Sequence, residues 1–445
     1  MMLYPAHIDG ERVQPVQDHC RNTAHRASAC LRPAGLAQVG YLAGLLHDQG
    51  KFTKAYAQYL ERAAAGEPVR RGSVVHAHGA ARFLLERFHN ADAFSSYQDM
   101  TAELLAYAVG AHHGLFDCVD EQHQLGFVRR LEWDDELYQA SCREFLSQCA
   151  GPAEIDALFA KAQLELEPVY GWIGGRDSNE EIFFYLGLLA RLVLSAVIEG
   201  DRWDTARWMD GRPSPPPPSP DWTQLLQRVE KRLGRFSRDT PMQQARCEIS
   251  QRCRQAAEQK GGLYRLHVPT GGGKTLSSLR FALAHAARNK NARIIFTSPL
   301  LSILDQNAEI LRTYIGDDRL VLEHHSNVIQ DKPDGGGLDP KELMCENWDA
   351  PIIITTLVQL LDTLFHGRTT CIRRFQALCR CILVIDEVQT VPTRMLTLFN
   401  LAVNFLVQVC GATVVLCSAT QPCLETADHP ILGSSTEYII VLCLE

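Results

Sequence analysis

The sequence predicts a multidomain chain, all-α in its first half and α/β with a mainly parallel sheet in its second, and three observations carry that prediction. Apolar residues recur at helical spacing from His7 to about Met209, as in Tyr41, Leu42, Leu45 and Leu46, or Leu104, Leu105, Ala108 and Val109. The run Arg212 to Pro220 is dominated by proline, which lacks an amide donor and favours extended backbone, so it reads as a linker. Beyond it, short β-rich runs alternate with helical ones, the pattern of a parallel sheet covered by helices.

Composition agrees with this division. A chain of 445 residues, 46% hydrophobic and 22% charged, exceeds one ordinary core and is not a disordered polymer. The formal net charge of −8 argues against coating nucleic acid through overall positive charge, and leaves a local basic groove or bound metal ions to hold phosphates. The 15 cysteines form no C-x-x-C pair, which argues against structural zinc. They read as free core thiols, and with no basic-then-apolar leader at Met1 the expected setting is a reducing cytoplasm. The apolar stretch Leu401 to Cys417 is broken by Asn404, Gln408 and Gly411, so it reads as a buried helix followed by a strand, and no membrane partner is expected.

The expected domains are residues 1–210, a linker at 211–222, and residues 223–445. In the last of these a helical stretch runs from Gln224 to Lys260. Strands are then expected at Leu263 to Val268, Ala292 to Thr297, Leu320 to Glu323, Ile352 to Thr355, Cys381 to Ile385 and Thr413 to Cys417. Gly335 to Gly337 reads as a flexible loop.

Between the first of these strands and a helix lies Leu266-His-Val-Pro-Thr-Gly-Gly-Gly-Lys-Thr275. Backbone amides of such a turn (Thr270, Gly271, Gly272, Gly273) surround phosphate oxygens, Lys274 adds a cation, and the Thr275 hydroxyl can ligate magnesium. The run Ile382-Leu-Val-Ile-Asp-Glu387 reads as a buried strand ending in two carboxylates. Asp386 is placed to bind the magnesium of a bound ATP, and Glu387 to polarise the water that attacks the γ-phosphate.

The first half clusters histidines: His19, His47-Asp48, His76 with His78, and His112-His113. Such pairs within or at the ends of apolar-patterned helices need a reason, because a buried polar group without a partner is costly. Adjacent residues on a helix diverge by about 100°, so His112 and His113 approach one site from different sides, and two ions fit better than one. A carboxylate can bridge such a pair of ions, and Asp48 is the candidate. Mixed imidazole and carboxylate ligands favour manganese, iron, cobalt or nickel over magnesium.

With these residues in view, the second half resembles superfamily 2 helicases, in which Asp386-Glu-Val-Gln389 and Ser418-Ala-Thr420 match two further motifs. The resemblance implies a first RecA-like ATP-binding lobe. It implies an adenine-reading role for Gln243 in Pro241-Met-Gln243, and coupling roles for Ser418 and Thr420. It also implies sequence-blind contacts to single-stranded DNA from Pro299 in Thr297-Ser-Pro-Leu-Leu-Ser302, and from Thr355, Thr356 and Gln359.

The first half is similar to the HD phosphohydrolase superfamily, whose ligand order is met by His19, His47-Asp48, His76, His112-His113 and Asp201. Lys51 fits the family's lysine that steadies a scissile phosphate. The family spaces its glycine and alanine further from the middle histidine than His76-Ala-His-Gly-Ala80 does, so His78 stands as an alternative to His76.

An HD domain of this kind ahead of such a lobe resembles the CRISPR-associated helicase-nucleases of type I interference systems. That resemblance implies two metal sites, His19, His47, Asp48 and Asp201 for one and Asp48, His76, His112 and His113 for the other. It implies recruitment to a guide-RNA effector complex, cleavage of displaced single-stranded DNA in the HD site, and ATP-driven movement along it. Glu445 falls shortly after Thr420, so a second lobe is expected to be absent from this chain and motor activity impaired, with the apolar run Tyr438 to Leu444 left as an uncovered strand. The competing reading is an HD nucleotide phosphohydrolase with a regulatory ATP-binding lobe.

Overall fold

In a computed structural model the chain folds into two compact units. The first comprises Met1–Pro215 and Gly367–Gln376, the second Pro216–His366 and Ala377–Glu445. The structure describes every residue except 1, 71–73, 75, 91–95, 120–125, 133, 212–218, 326–345, 421–423, 425–427, 433–437 and 442–445. Most of the expected proline linker and the Gly335 to Gly337 loop therefore lie outside the described residues.

The first unit opens with an antiparallel hairpin, β1 (Pro5–Asp9) and β2 (Arg12–Pro15), where helical spacing had been expected from His7. The cause is local: Asp9-Gly10 is a hairpin turn signal, and Gly10 takes φ +58°, a backbone setting that favours glycine. The rest is helical: α1 (Val16–Leu31), α2 (Ala37–Leu46), α3 (Lys54–Ala64), α4 (Gly79–Phe88), α5 (Tyr97–Gly110), α6 (Gly126–Leu131), α7 (Asp135–Gln148), α8 (Pro152–Gly174) and α9 (Asn179–Asp210).

α2 and α9 both lie against α1, and glycines set how closely. A Cβ on Gly44 would stand 2.8 Å from Ala24 Cα, and one on Gly200 2.7 Å from Thr23 O. That close approach brings His19, in the first turn of α1, near the end of α2 and the last turns of α9. Among the described residues, α9 is by length and composition alone long and apolar enough to cross a membrane. Its residues Leu192 to Gly200 are all buried within the first unit.

The second unit begins with α10 (Trp222–Leu233) and α11 (Pro241–Ala256), so the helical stretch expected from Gln224 to Lys260 is interrupted. Pro241 opens α11 at a position that needs no amide donor, and Thr240 with Gln243 forms a reciprocal capping box there. The strands are β3 (Leu263–His267), β4 (Ile294–Ser298), β5 (Val321–His324), β6 (Ile352–Thr356), β7 (Ile382–Ile385), β8 (Thr413–Ser418) and β9 (Tyr438–Val441). Between them lie α12 (Lys274–Asn289), α13 (Leu301–Ile315), α14 (Leu357–Phe365) and α16 (Leu396–Gln408), while α15 (Thr369–Arg373) belongs to the first unit.

All seven strands are parallel, in the order β5-β6-β4-β7-β8-β3-β9, so each of the six expected strands is present and β9 adds an edge beside β3. β4, β6, β7 and β8 are buried along their whole length, the reason they read as unbroken apolar runs. Leu401 to Cys417 is a buried helix end followed by β8, as its composition implied. The carboxyl ends of β3, β7 and β8 lie side by side, where open parallel sheets bind ligands.

A candidate two-metal centre and a candidate nucleotide site

In the first unit α1 carries His19, α2 ends at His47 and leads into Asp48, and α9 carries Asp201. His112 and His113 lie in the turn just past α5, not on its helical body, and this lets both rings turn the same way. His19, His47, Asp48 and Asp201 offer ligand atoms within 4.8 Å of one another, as do Asp48, His76, His112 and His113.

Asp48 divides its oxygens between the groups. Oδ2 lies 3.3 Å from His19 Nε2 and 3.2 Å from His47 Nε2, while Oδ1 lies 3.8 Å from Nε2 of both His76 and His112. Asp201 Oδ1 adds a 3.3 Å approach to His19 Nε2, and His76 Nε2 and His113 Nε2 are 2.9 Å apart. His76, not His78, faces Asp48; the His78 ring instead packs edge-on against Phe116.

The groups fit metal ions on their own chemistry. His19 Nε2, His47 Nε2, His112 Nε2 and Asp48 Oδ1 are buried without a hydrogen-bond partner of good geometry. Four converging unsatisfied polar atoms would be expensive in a core without an ion to coordinate them. Burial holds His76, His112 and His113 near pKa 4, so each offers a neutral lone pair. Burial also pushes His19 down, but the facing carboxylates of Asp201, Asp204 and Asp48 outweigh it and raise it to about 10. That surplus of negative charge favours a cation.

Neighbours fix the site's shape. Lys51 Nζ is 2.6 Å from Asp48 Oδ2; burial opposes its charge, and the Asp48 carboxylate outweighs this and keeps the ammonium well above its ordinary pKa. Gln49 Nε2 donates to Ser141 Oγ at 2.6 Å, bracing the turn that follows Asp48. Gly50 is required here, since a Cβ would stand 2.1 Å from the His76 carbonyl oxygen.

In the second unit Gly271 and Gly273, both at φ +83°, turn the chain from β3 into α12. A Cβ on Gly272 would lie 2.4 Å from Val268 Cγ1, so the loop closes only with glycine there. Lys274 Nζ reaches Glu387 Oε1 at 2.5 Å, and Thr275 donates to Asn307 Oδ1 at 3.1 Å. Lys274, Thr275 and Asp386 line one cleft together with Thr297 and Ser298, and Thr270 lies in the loop between β3 and α12. Burial raises Asp386; Glu387 is also penalised by burial, but Lys274 and Gln389 pull it below its ordinary value. Gln389 Nε2 donates to Glu387 Oε2 at 2.6 Å, Ser418 Oγ to Gln389 Oε1 at 2.5 Å, and Thr420 N to Ser418 Oγ at 3.0 Å. Ser418 and Thr420 are thus tied to the acidic pair by one side-chain relay.

Gln243 uses its Oε1 to accept from the backbone amides of Asp239 and Thr240 at 3.0 and 3.1 Å. Pro299 follows β4, and Thr355 and Thr356 end the neighbouring β6. Thr355 donates to the His324 carbonyl and Thr356 caps α14 at Gln359 N, so both threonines have local structural work. Sequence reasoning missed Asp204, which meets His19 Nδ1 at 2.7 Å; its signal was a carboxylate three residues after Asp201 on the same helix.

A helical bundle presenting two carboxylate-bridged ligand groups, followed by a parallel sheet with a phosphate loop and an acidic strand end, defines an HD-type domain joined to a helicase-type nucleotide-binding domain. Residues 11–173 match the family described as Cas3, HD domain, and residues 244–428 match DEAD/DEAH box helicase. The chain carries a Cas3-family HD domain and a DEAD/DEAH box helicase domain.

Among solved structures it is similar to Cas3 of T. fusca with ATP, at 19% identity over 98% of this chain and 53% of that one, TM-score 0.55. The same protein with AMPPNP gives 17% identity over 95% and 50%, also at TM-score 0.55. A CRISPR RNA-guided surveillance complex in a pre-nicking state gives 17% over 95% and 48%, at TM-score 0.52. These likenesses establish the fold, and the chain spans about half the length of those chains. No curated protein matches it by sequence.

Proposed function

We propose that this protein is a metal-dependent nuclease for single-stranded DNA joined to an ATP-binding motor lobe, working in the cytoplasm with a guide-RNA effector complex of a type I CRISPR system. The supporting observation is the single buried Asp48 carboxylate facing two separate ligand groups through its two oxygens. His19, His47, Asp48 and Asp201 would hold one divalent transition metal, and Asp48, His76, His112 and His113 the other. When bound, such a pair supplies an activated water and neutralises the leaving oxygen of a phosphodiester.

The chain's own residues do the rest. Asp48 orients both ligand groups, and Lys51 holds Asp48 while offering a cation to a phosphate. His76 and His113, on the open side of the site, face the incoming strand. In the second unit Lys274 leaves Glu387 when nucleotide phosphates arrive, which frees Glu387 to orient water, and the Gln389–Ser418 relay passes that change to Thr420. Pro299, Thr355, Thr356 and Gln359, at adjoining strand ends, are the proposed DNA contacts.

The test is incubation of the purified protein with manganese or nickel and either circular single-stranded DNA or free nucleotides. Linearised or degraded DNA that stays intact in the combined His47→Ala and Asp48→Ala variant is expected. Intact DNA with phosphate released from nucleotides would replace this reading with a nucleotide phosphohydrolase.

A further inference from the structure

Three buried imidazoles turn Nε2 toward Asp48, but they are anchored differently at Nδ1. His47 and His112 meet the carbonyl oxygens of Gly44 and Val109, each three residues back, at 2.8 and 2.5 Å. His19 meets a carboxylate instead, Asp204 Oδ2 at 2.7 Å. Asp204 lies one turn beyond Asp201 on α9, so both carboxylates sit on the face of α9 turned toward α1.

Asp204 is itself held. Gln14, buried near the end of β2, donates Nε2 to the same Oδ2 at 2.7 Å. Two donors converging on one oxygen leave it an acceptor, so in the neutral ring that can bind a metal ion the His19 proton sits on Nδ1 and Nε2 presents its lone pair. The alternative matters, because Nε2 is 3.3 Å from Asp48 Oδ2 and 3.3 Å from Asp201 Oδ1. A proton on Nε2 would hydrogen-bond one of these carboxylates and close the ligand group upon itself.

We propose that Asp204, held by Gln14, is a positioning residue that keeps His19 Nε2 available to a divalent metal in the group His19, His47, Asp48 and Asp201. A backbone carbonyl cannot replace it, since His19 lies in the first turn of α1, where the carbonyls three and four residues back already accept the helix's own amides. The inference rests on the two-metal reading and names a residue outside the ligand set.

Calorimetric titration of the full chain with manganese chloride tests it. His113→Ala removes a ligand of the other group only, so the site containing His19 can be followed alone; His47→Ala serves the converse purpose. Asp204→Asn keeps size and one acceptor but removes the charge. In the His113→Ala background it is expected to weaken manganese binding about 10- to 100-fold. In the His47→Ala background, affinity at the second group should not move, and the metal-free melting temperature should match the parent.

Unchanged affinity in the His113→Ala background, or equal weakening in both backgrounds, overturns the proposal. Asp204→Ala supplies a second reading if the asparagine variant misfolds, and Gln14→Leu should reproduce a smaller loss at the same site. Parent protein that binds no manganese would sink the two-metal reading itself, whereas a parent that binds two ions with indifferent Asp204 variants sinks only this inference.

Discussion

Asp48 shows how one side chain can be asked for several things at once. It is buried, faces four imidazoles and accepts from Lys51, and burial alone would push its carboxyl up; the charges of His47 and Lys51, with the close approach of His19, hold it well below the ordinary value instead. Asp48→Asn, nearly the same shape without the charge, should abolish binding at both groups, seen as manganese stoichiometry falling from two to none. Gly50→Ala makes the opposite kind of change, adding one carbon 2.1 Å from the His76 carbonyl oxygen. The His76 segment must then move. Binding at the group containing His76 should weaken while the group containing His19 is spared; equal loss at both would mean that Gly50 serves the whole fold.

At the scale of elements, α11 shows one residue serving structure and the proposed adenine contact together. Gln243 closes the capping box with Oε1, and Thr240→Ala should cost about 1 kcal/mol in denaturant unfolding. Glutamate at the same position caps equally well but presents no amide to a base. Gln243→Glu should therefore keep stability and lose preference for ATP over GTP in binding; retained preference would leave Gln243 a cap alone. What could be foreseen at this scale follows from packing. Strands covered on both faces are continuously apolar, which made β4, β6, β7 and β8 legible. The β1–β2 hairpin was hidden by applying a helical period across residues whose turn signal was only Asp9-Gly10. The break before α11 lay in Thr240-Pro241, a start signal inside a longer helical pattern. The ligands of the metal groups were legible because histidines beside carboxylates are unusual in apolar helices, whereas Asp204 and Gln14 look ordinary until folding places them behind His19.

At the scale of the whole molecule, the units are not two consecutive lengths of chain. Gly367–Gln376, drawn from the middle of the helicase sequence, belongs to the first unit. There Arg373 Nε meets Glu199 Oε2 at 2.7 Å and Arg26 Nη2 meets Oε1 at 2.5 Å, with Glu199 fully buried two residues before Asp201. Local sequence gives no hint of this, because an arginine among residues 367–376 reads as a surface charge until its partner is known. Arg373→Ala leaves the buried carboxylate with part of its compensation and should destabilise the first unit by on the order of 3 kcal/mol. A protease site engineered between Asp210 and Asp221 should yield two pieces that still elute together; separate elution after cleavage would contradict the division of the chain.

The same ten-residue excursion limits how such a gene can be rebuilt. A crossover at the proline tract that joins this HD sequence to a helicase sequence from elsewhere would keep reading frame and both sets of motifs, yet deliver the wrong insert to Glu199. The two halves of the sequence must therefore change together at Arg26, Glu199 and Arg373, and they are not interchangeable cassettes.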